Sequence, residues 1–434
     1  MEILNISDIL KQEIGTLSYL PVVYNDLACI LYTSGTTGVP KGVKITRKAI
    51  LNVSFTYADL YNLSNGDVYG LFSSIGFDVT NFVIAAVLYS GACLAIVPEE
   101  IKLDMYKLNN YFMAHDVSHS FITTQVAKLF MESTDKTSLK VLLVAGEKLG
   151  DFKSPYDYIL VDAYDPTEAF AFNSSINVKY KINGSSVGKL NYNTKAYILD
   201  DDFRRVPIGA VGELYLSGYQ VSEGYLNRKK ESARVFMDNL FDGEDYNVMY
   251  RTGDMVRVLS DGTLAILGRR DGQVKVRGNR VELSEVESCI REIDGVEDIT
   301  VQIFNINGNN ELVAYVVADG DIGEVDIQKH VLENKLEYMV PSAIMFLDEI
   351  PLTVNLKVDK QALPDVNFDS MGTDYVGAES EIEQVIVDAF EVVFNQKSFG
   401  LYDDFVNLGG NSITAIRLIS LLQKNNVSCT AGVY

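Results

Sequence analysis

A loop rich in glycine and hydroxyl residues near the start of the chain has the composition of a phosphate-binding loop. It runs from Tyr32 to Gly42, follows a hydrophobic run typical of a strand, and contains one lysine, Lys41. Backbone N–H groups and hydroxyls in such a loop can approach phosphate oxygens closely, and lysine adds positive charge. The spacing differs from the GxxxxGK[ST] loop of P-loop nucleotide-binding proteins. On composition alone, a loop of this kind is more often an ordinary turn than a phosphate site.

Four further segments carry reactive side chains beside predicted turns. They are Ala163–Glu168, Tyr250–Asp254, Gly268–Gly278 and Ile350–Lys360. A carboxylate such as that of Asp254 suits a sugar diol, because it accepts two hydrogen bonds at once. Taken singly, the second segment is typical of a turn and the third of an exposed basic hairpin.

In this order, the five segments resemble the adenylate-forming superfamily, which includes acyl-CoA synthetases, luciferases and the adenylation domains of nonribosomal peptide synthetases. The resemblance implies that Tyr164 stacks on adenine, that Thr167 faces the phosphates and that Glu168 holds Mg²⁺. It also implies that Asp254 binds the ribose and Arg269 the nucleotide. The ATP-binding residues expected on this basis are Thr33, Ser34, Gly35, Thr36, Thr37, Gly38, Lys41, Tyr164, Asp165, Asp254 and Arg269.

Two residues of these motifs are expected to take part in a conformational change of the enzyme. By the resemblance, Lys357 is the mobile catalytic lysine that joins Thr167 and Glu168 in the site, and Asp271 is the hinge between two subdomains. The sequence departs from the family where Asp165 and Leu356 stand in place of glycine. A side chain at Asp165 is expected to crowd the nucleotide, and Leu356 to alter the loop that aims the lysine.

A resemblance to carrier proteins distinguishes the synthetases from stand-alone ligases. Residues Asp403–Ser412 are similar to the carrier motif in which a serine receives 4′-phosphopantetheine, so Ser412 is the expected attachment site. An ordinary helix N-cap is the alternative interpretation of this serine. A carrier implies two kinds of partner, a phosphopantetheinyl transferase and neighbouring synthetase modules, and the sequence leaves open whether a small accessory chaperone is required.

An aspartate after Phe77 indicates an amino-acid substrate. Asp78 resembles the family residue that pairs with the α-ammonium group, a charge-assisted bond that a simple carboxylic acid cannot use. The other expected pocket residues are apolar apart from one threonine, which favours a large apolar or aromatic side chain. They are Val79, Phe82, Thr123, Leu143, Ala145, Ala163, Ala171 and Phe172.

The hydrophobic pattern predicts the elements that position these residues. Apolar runs at residues 28–34, 92–98, 141–146 and 158–164 alternate with amphipathic stretches, which predicts α/β layering. From Gly212 the pattern changes to closely spaced strands. The predicted domains are an α/β large subdomain over residues 1–267, a small α+β subdomain over 268–366, a linker over 367–378 and an all-α carrier domain over 379–434.

The composition disfavours several kinds of partner and site. The formal net charge of −22 disfavours nucleic acid and anionic membranes as partners. Four widely separated cysteines and three histidines make a structural zinc site improbable and fit a reducing cytoplasm. No apolar run is long enough to predict a membrane span.

The resemblance covers residues 27–422 but not a whole family member. An adenylation domain has over a hundred further residues before the phosphate loop, and the carrier motif is followed by few residues, so truncation at both ends is expected, with apolar surface left uncovered. Three functions remain open on this basis: an amino-acid-activating synthetase fragment that needs ATP, Mg²⁺ and 4′-phosphopantetheine, an acyl- or aryl-acid ligase, and a non-catalytic remnant or half of a split enzyme.

Overall fold

The computed structural model describes residues 23–33, 40–147, 149, 152, 157–180, 186–241, 246–270, 274–276, 279–306, 309–320, 322–351, 358–359, 362–364, 377–378, 380–394, 399–401, 405, 410, 412–425 and 427. None of the helices in these ranges is long and apolar enough to cross a membrane.

The first half of the described chain alternates strands and helices, as predicted. Its elements are β1 (Leu27–Thr33), β2 (Lys41–Thr46), α1 (Arg47–Leu60), β3 (Val68–Leu71), α2 (Asp78–Ser90), β4 (Cys93–Ile96), α3 (Met105–Ala114), β5 (His119–Thr123), α4 (Thr124–Ser133), β6 (Val141–Ala145) and β7 (Ile159–Tyr164). Strands β4, β3, β5, β6 and β7 are neighbours in that order, and all of these pairs are parallel. All five residues of β6 are buried, which explains its unbroken apolar run, since helices cover both faces of a parallel sheet.

The same sheet continues into an antiparallel half. Its further elements are β8 (Ser174–Asn177), β9 (Ser186–Leu190), β10 (Thr194–Leu199), β11 (Gly212–Gly218), α5 (Lys229–Val235), β12 (Phe236–Asp238), β13 (Val248–Val258) and β14 (Leu264–Arg269). In the described residues the sheet runs β10-β11-β13-β14-β9-β8-β7, with β12 beside β13. The antiparallel pattern was predicted from Gly212 but begins at Ser174, because only a 3₁₀ turn at Thr167–Ala169, instead of a crossover helix, joins β7 to β8.

A separate hairpin flanks the predicted phosphate loop. Strands β1 and β2 pair antiparallel, with Thr33 opposite Lys41. Gly42 is required there because a Cβ atom would lie 2.8 Å from Cγ2 of Ile30 and 3.3 Å from the ring of Tyr32. Helix α1 follows directly, and its N-terminus is capped by the hydroxyl of Thr46. The paired strands therefore fix the positions of Thr33 and Lys41, the residues that flank the loop.

The small α+β unit was also predicted, and it has its own core. Its elements are β15 (Val274–Val276), β16 (Asn279–Val281), α6 (Leu283–Arg291), β17 (Val296–Ile306), β18 (Asn309–Ala318), α7 (Glu324–Asn334) and β19 (Ala343–Phe346). Strands β17 and β18 form a long antiparallel pair, and β19 adds to β18 in parallel.

Two helices end the described chain, α8 (Glu381–Phe394) and α9 (Ser412–Lys424). Aromatic rings of α8 pack with two later phenylalanines, Phe399 and Phe405. Helix α9 lies against α3 and α4, since Ile416 is buried in their hydrophobic core and Nε2 of Gln423 donates to Oδ2 of Asp104 at 2.9 Å. The predicted linker over 367–378 lies outside the described residues apart from 377–378.

Asp67 stabilises the start of β3 through several hydrogen bonds. Its carboxylate accepts from Nζ of Lys140 at 2.7 Å and from the hydroxyls of Ser118 and Ser64 at 3.0 and 2.9 Å. Burial alone would raise the pKa of Asp67, but these hydrogen bonds outweigh it and lower the pKa to about 2.

Acid should therefore weaken the fold through Asp67. A carboxyl whose folded-state pKa is depressed contributes stability that is complete above its unfolded pKa of about 3.9 and is lost as the pH falls toward the folded value. The contribution at neutral pH is about 2 kcal/mol. We expect Asp67→Asn to unfold at lower urea concentration than the wild type at about pH 7, and the difference to shrink near pH 3. Circular dichroism is the suitable readout because the chain has no tryptophan; a difference independent of pH would contradict the prediction.

Candidate active site

The predicted pocket residues come together on one face of the parallel half of the sheet. Side chains alternate between the two faces of a strand, so Leu143 and Ala145 of β6 face α1 and α2, whereas Leu142 and Val144 face α3 and α4. Seven predicted residues share the first hydrophobic cluster: Val79, Phe82, Leu143, Ala145, Ala163, Ala171 and Phe172. Thr123 ends β5 beside Ala145 and is only half-buried.

Two aromatic rings bound one end of this cluster. Phe82 and Phe172 pack edge to face, with ring centroids 5.3 Å apart. The buried ring of Tyr57 lies behind both, at 5.7 Å from Phe82 and 6.0 Å from Phe172. A group entering between the sheet and α2 therefore meets apolar and aromatic surfaces.

Asp78 places a carboxylate at the edge of the apolar cluster. It is the first residue of α2 and only 7% exposed, and its Oδ1 accepts from the N–H of Val79 at 2.8 Å. The partial positive charge of a helix N-terminus favours the ionised carboxylate there. Its second oxygen accepts from the hydroxyl of Thr167 at 2.8 Å. A residue predicted to bind the substrate ammonium thus contacts one predicted to face the phosphates.

Glu168 lies in the 3₁₀ turn after β7 and is 1% exposed. Its Oε1 accepts from the hydroxyl of Tyr225 at 2.8 Å, and its carbonyl accepts from the N–H of Ser222 at 2.9 Å. On the other side of Tyr225, Nζ of Lys41 lies 5.5 Å from the ring centroid, at cation–π distance. The Tyr225 side chain therefore connects the carboxylate to the phosphate-loop hairpin.

The backbone angles of this turn show whether Asp165, which stands in place of a glycine, strains the chain. The left-handed residues of this region are Phe170 and Ala171, with φ of 41° and 55°, whereas Asp165 has no positive φ. A side chain at this position, where the family has glycine, therefore causes no backbone strain.

Asp254 and Arg269, which are predicted to bind the ribose and the nucleotide, contact each other. Asp254 of β13 lies opposite Arg269 of β14, and its Oδ1 accepts from Nη1 of Arg269 at 3.2 Å. Its Oδ2 accepts a short hydrogen bond from the hydroxyl of Tyr164. Burial, aided by the charge of Asp254, raises the pKa of Tyr164 well above its usual value, so the phenol stays a neutral donor. The three side chains present one polar surface next to the turn that carries Glu168.

Several predicted residues lie outside the described part of the chain: Ser34, Gly35, Thr36, Thr37, Gly38, Asp271 and Lys357. The neighbouring Thr33 has a buried hydroxyl without a hydrogen-bond partner among the described residues. Such a group suits an acceptor such as a phosphate oxygen. Ser412 is the first residue of α9.

The carboxylate of Glu168 fits the role predicted for it with Mg²⁺. The described residues hold no group of three or more histidine, cysteine, aspartate or glutamate side chains able to bind a metal. Mg²⁺ does not need one, since it is usually bound by one or two carboxylates together with substrate phosphates and water. A buried carboxylate beside Thr167, which is predicted to face the phosphates, matches this requirement.

Comparison with known proteins identifies the family. The profile of the AMP-binding enzymes matches residues 11–226, and that of the AMP-binding enzyme C-terminal domain matches residues 285–357. The chain belongs to the AMP-binding enzyme family. This family groups ATP-dependent, AMP-forming ligases, and the chain is a homologue of the nonribosomal peptide synthetases among them.

The similar synthetases are much longer than this AMP-binding enzyme. Surfactin synthase subunit 2 of Bacillus subtilis (strain 168) is 36% identical over 408 residues, which are 93% of this chain and 11% of that protein. Bacitracin synthase 1 of Bacillus licheniformis is 34% identical over 403 residues, 92% of this chain and 8% of that protein. The chain thus spans about a tenth of the length of these relatives.

Solved structures support the fold. A holo nonribosomal peptide synthetase protein containing adenylation and PCP domains, bound to a vinylsulfonamide inhibitor, has a TM-score of 0.79 at 23% identity, covering 96% of this chain and 72% of that one. At this identity the likeness concerns the fold alone. A four-domain nonribosomal peptide synthetase bound to AMP and glycine is 31% identical, with a TM-score of 0.52, covering 93% of this chain and 31% of that one.

The AMP-binding enzyme also contains contacts that the sequence did not reveal. Tyr225 and Gln220 lie in the segment after β11, to which the sequence analysis assigned no chemistry. The sequence alone does not show that the hydroxyl of Tyr225 reaches Glu168.

Proposed function

We propose that this chain activates an amino acid with ATP, forming an aminoacyl-adenylate and pyrophosphate, and passes the aminoacyl group to a carrier segment that contains Ser412. The observation that carries the proposal is the position of Asp78. A buried carboxylate at the rim of an otherwise apolar pocket suits the α-ammonium group of an amino acid. Its hydrogen bond to Thr167, a residue predicted to face the phosphates, supports a position of that group beside the phosphate site.

The pocket favours an apolar side chain. Its walls are aliphatic and aromatic, and three of its residues, Ala145, Ala163 and Ala171, have small side chains. A large apolar or aromatic side chain would replace water there without leaving an unpaired polar group.

The first reaction needs no protein nucleophile. The substrate carboxylate attacks the α-phosphorus of ATP and pyrophosphate leaves, so positioning and charge neutralisation account for the catalysis. Asp78 holds the ammonium end, Asp254 and Arg269 hold the ribose side, and Lys357 neutralises charge on the carboxylate and phosphate. Mg²⁺, when bound by Glu168 and the phosphates, supplies further positive charge at the departing pyrophosphate.

The carrier role rests on the position of Ser412 at the start of α9. A modifying enzyme would attach 4′-phosphopantetheine to its hydroxyl, and the attached arm would supply a thiol as the acyl acceptor. A rotation of the small subdomain about Asp271 would then exchange the lysine-bearing face for one that admits the thiol. Neighbouring synthetase modules would take the aminoacyl group onward.

Amino-acid-dependent ATP–pyrophosphate exchange tests the first reaction. The chain is assayed with each proteinogenic amino acid and with several aryl acids, and we expect exchange with an apolar amino acid. Lys357→Ala should abolish it, whereas Lys329→Ala, at an exposed lysine of α7 in the same subdomain, should not. Exchange with aryl acids alone would identify an aryl-acid ligase, and silence from folded protein would refute activity of this chain by itself.

Mass spectrometry tests the carrier role separately. We expect incubation with a phosphopantetheinyl transferase and coenzyme A to add one arm to the wild type and none to Ser412→Ala. An unmodified wild-type chain would contradict the assignment of Ser412 without affecting the first reaction.

A further inference from the structure

The loop that carries two pocket residues has a strained backbone. Phe170 and Ala171 are consecutive residues in the left-handed region, at φ of 41° and 55°. Residues other than glycine adopt this conformation rarely, and it persists only where surrounding contacts impose it. Ala171 and Phe172 form part of the predicted pocket wall, so the contacts that impose the conformation also set the shape of the pocket.

The amide of Gln220 contacts this loop directly. Its Nε2 donates to the carbonyl oxygens of Phe170 at 2.9 Å and Phe172 at 3.0 Å, and lies 3.5 Å from that of Ala169. The side chain is fully buried. One amide group therefore holds carbonyls on both sides of Ala171.

The other end of the Gln220 amide is anchored to a helix. Its Oε1 accepts from Nδ2 of Asn52 in α1 and from Nδ2 of Asn191, both at 3.2 Å. Asn52 in turn accepts from Nδ2 of Asn193 at 2.8 Å. The network is buried around Gln220, which makes each of its hydrogen bonds costly to lose.

We propose that Gln220 is a positioning residue that sets substrate selectivity by holding the 169–172 loop in its strained conformation. The inference rests on the proposed function, because the pocket wall it shapes is that of the amino-acid site. Gln220 acts through the loop carbonyls rather than by touching the substrate. Loss of its N–H donors would let Phe170 and Ala171 relax, which would move the Phe172 ring away from Phe82.

The substitution Gln220→Glu tests the donor half of the contact. It keeps the shape and the acceptor for Asn52, but it offers the loop carbonyls no donor as a carboxylate and a single O–H as a protonated acid, in place of an NH2 group. We expect kcat/KM for the preferred amino acid to fall about tenfold to a hundredfold. The change should lie mainly in KM, the KM for ATP should stay within about twofold, and discrimination against a side chain one methylene longer or shorter should decrease.

The matched control is Asn193→Asp, which makes the same chemical change in the same network but does not contact the loop. A merely structural role of Gln220 would lower the melting temperature of both variants and leave KM for the amino acid unchanged in both. That result would overturn the proposal. Should Gln220→Glu fail to fold, Gln220→Met removes the donors without adding a charge, although it also removes the acceptor for Asn52 and Asn191. Failure of both variants to fold, beside a folded Asn193→Asp, would assign Gln220 to folding alone.

Hydrogen–deuterium exchange separates this inference from the proposed function. Without substrates, residues 167–173 should exchange faster in Gln220→Glu than in the wild type or Asn193→Asp. Unchanged exchange there would overturn the inference even if the wild type activates an amino acid. Faster exchange in a chain whose wild type activates no amino acid would leave the loop contact established and refute only the proposed function.

Discussion

Replacing Asp78 by asparagine should raise the KM for the amino acid by about two to three orders of magnitude while the KM for ATP stays within about twofold. The carboxylate is buried at the start of α2, where truncation of one partner of a buried charge pair costs about 2–5 kcal/mol. Asparagine keeps the shape and one acceptor oxygen for the N–H of Val79, and its NH2 group can donate to the hydroxyl of Thr167, so the main loss is the charge. Exchange kinetics at saturating ATP measure the effect.

The matched control for this substitution is Asp104→Asn. Asp104 is also a buried aspartate at a helix N-terminus, where its Oδ1 accepts from the N–H of Lys107 at 3.0 Å, but it lies on the opposite face of the sheet. The Asp104→Asn variant should have KM values for the amino acid and for ATP close to those of the wild type. An Asp78→Asn variant that keeps its KM for the amino acid would refute the ammonium contact and favour a substrate without an amino group.

The substitution Glu168→Gln should reduce kcat for pyrophosphate exchange by about a hundredfold to a thousandfold. Mg²⁺ would neutralise charge at the departing pyrophosphate, and proteins usually bind this ion through one or two carboxylates. Glutamine offers it only a neutral ligand. Calorimetry supplies a readout apart from activity: the affinity for ATP should fall in the presence of Mg²⁺ and stay unchanged in the presence of EDTA.

Tyr225→Phe provides a graded comparison for Glu168. It removes only the hydroxyl that donates to Oε1 and keeps the ring over which Lys41 lies. We expect kcat for pyrophosphate exchange to fall by about tenfold to a hundredfold, since one hydrogen bond to a charged group contributes about 1.5–3 kcal/mol. Equal ATP affinity of wild type and Glu168→Gln in Mg²⁺ would show that Glu168 does not hold the ion.

Local patterns predicted most of the fold. The apolar runs of β6 and β7 appear at the predicted positions, because burial on both faces leaves an unambiguous hydrophobic signal. The start of the antiparallel half was missed, since a three-residue turn after Tyr164 leaves no hydrophobic periodicity to detect. Whether the two halves form one sheet is decided by the pairing of β7 with β8, which is a long-range contact.

The candidate site was predictable where motifs name its residues, as for Asp78 and Glu168, and not where it depends on buried amide networks. Gln220 and Asn191 are polar residues between strands, and by sequence they resemble ordinary loop residues. Their contacts to the loop carbonyls depend on the approach of α1 to the turn between β7 and β8, which no local pattern encodes.

Strand pairing changes from parallel to antiparallel at β7 and β8, and the candidate site residues fall into two groups on either side of this change. The residues proposed to form the wall for the amino-acid side chain lie between Asp78 and Phe172, on the parallel side, whereas Asp254 and Arg269, proposed to face the nucleotide, lie on the antiparallel side. Under this proposal, substrate preference can change within one contiguous stretch of the gene, as long as Tyr164, Thr167 and Glu168 in that stretch are kept for ATP and Mg²⁺. Recombination with breakpoints before α2 and after Phe172 would exchange substrate preference between related chains in a single event.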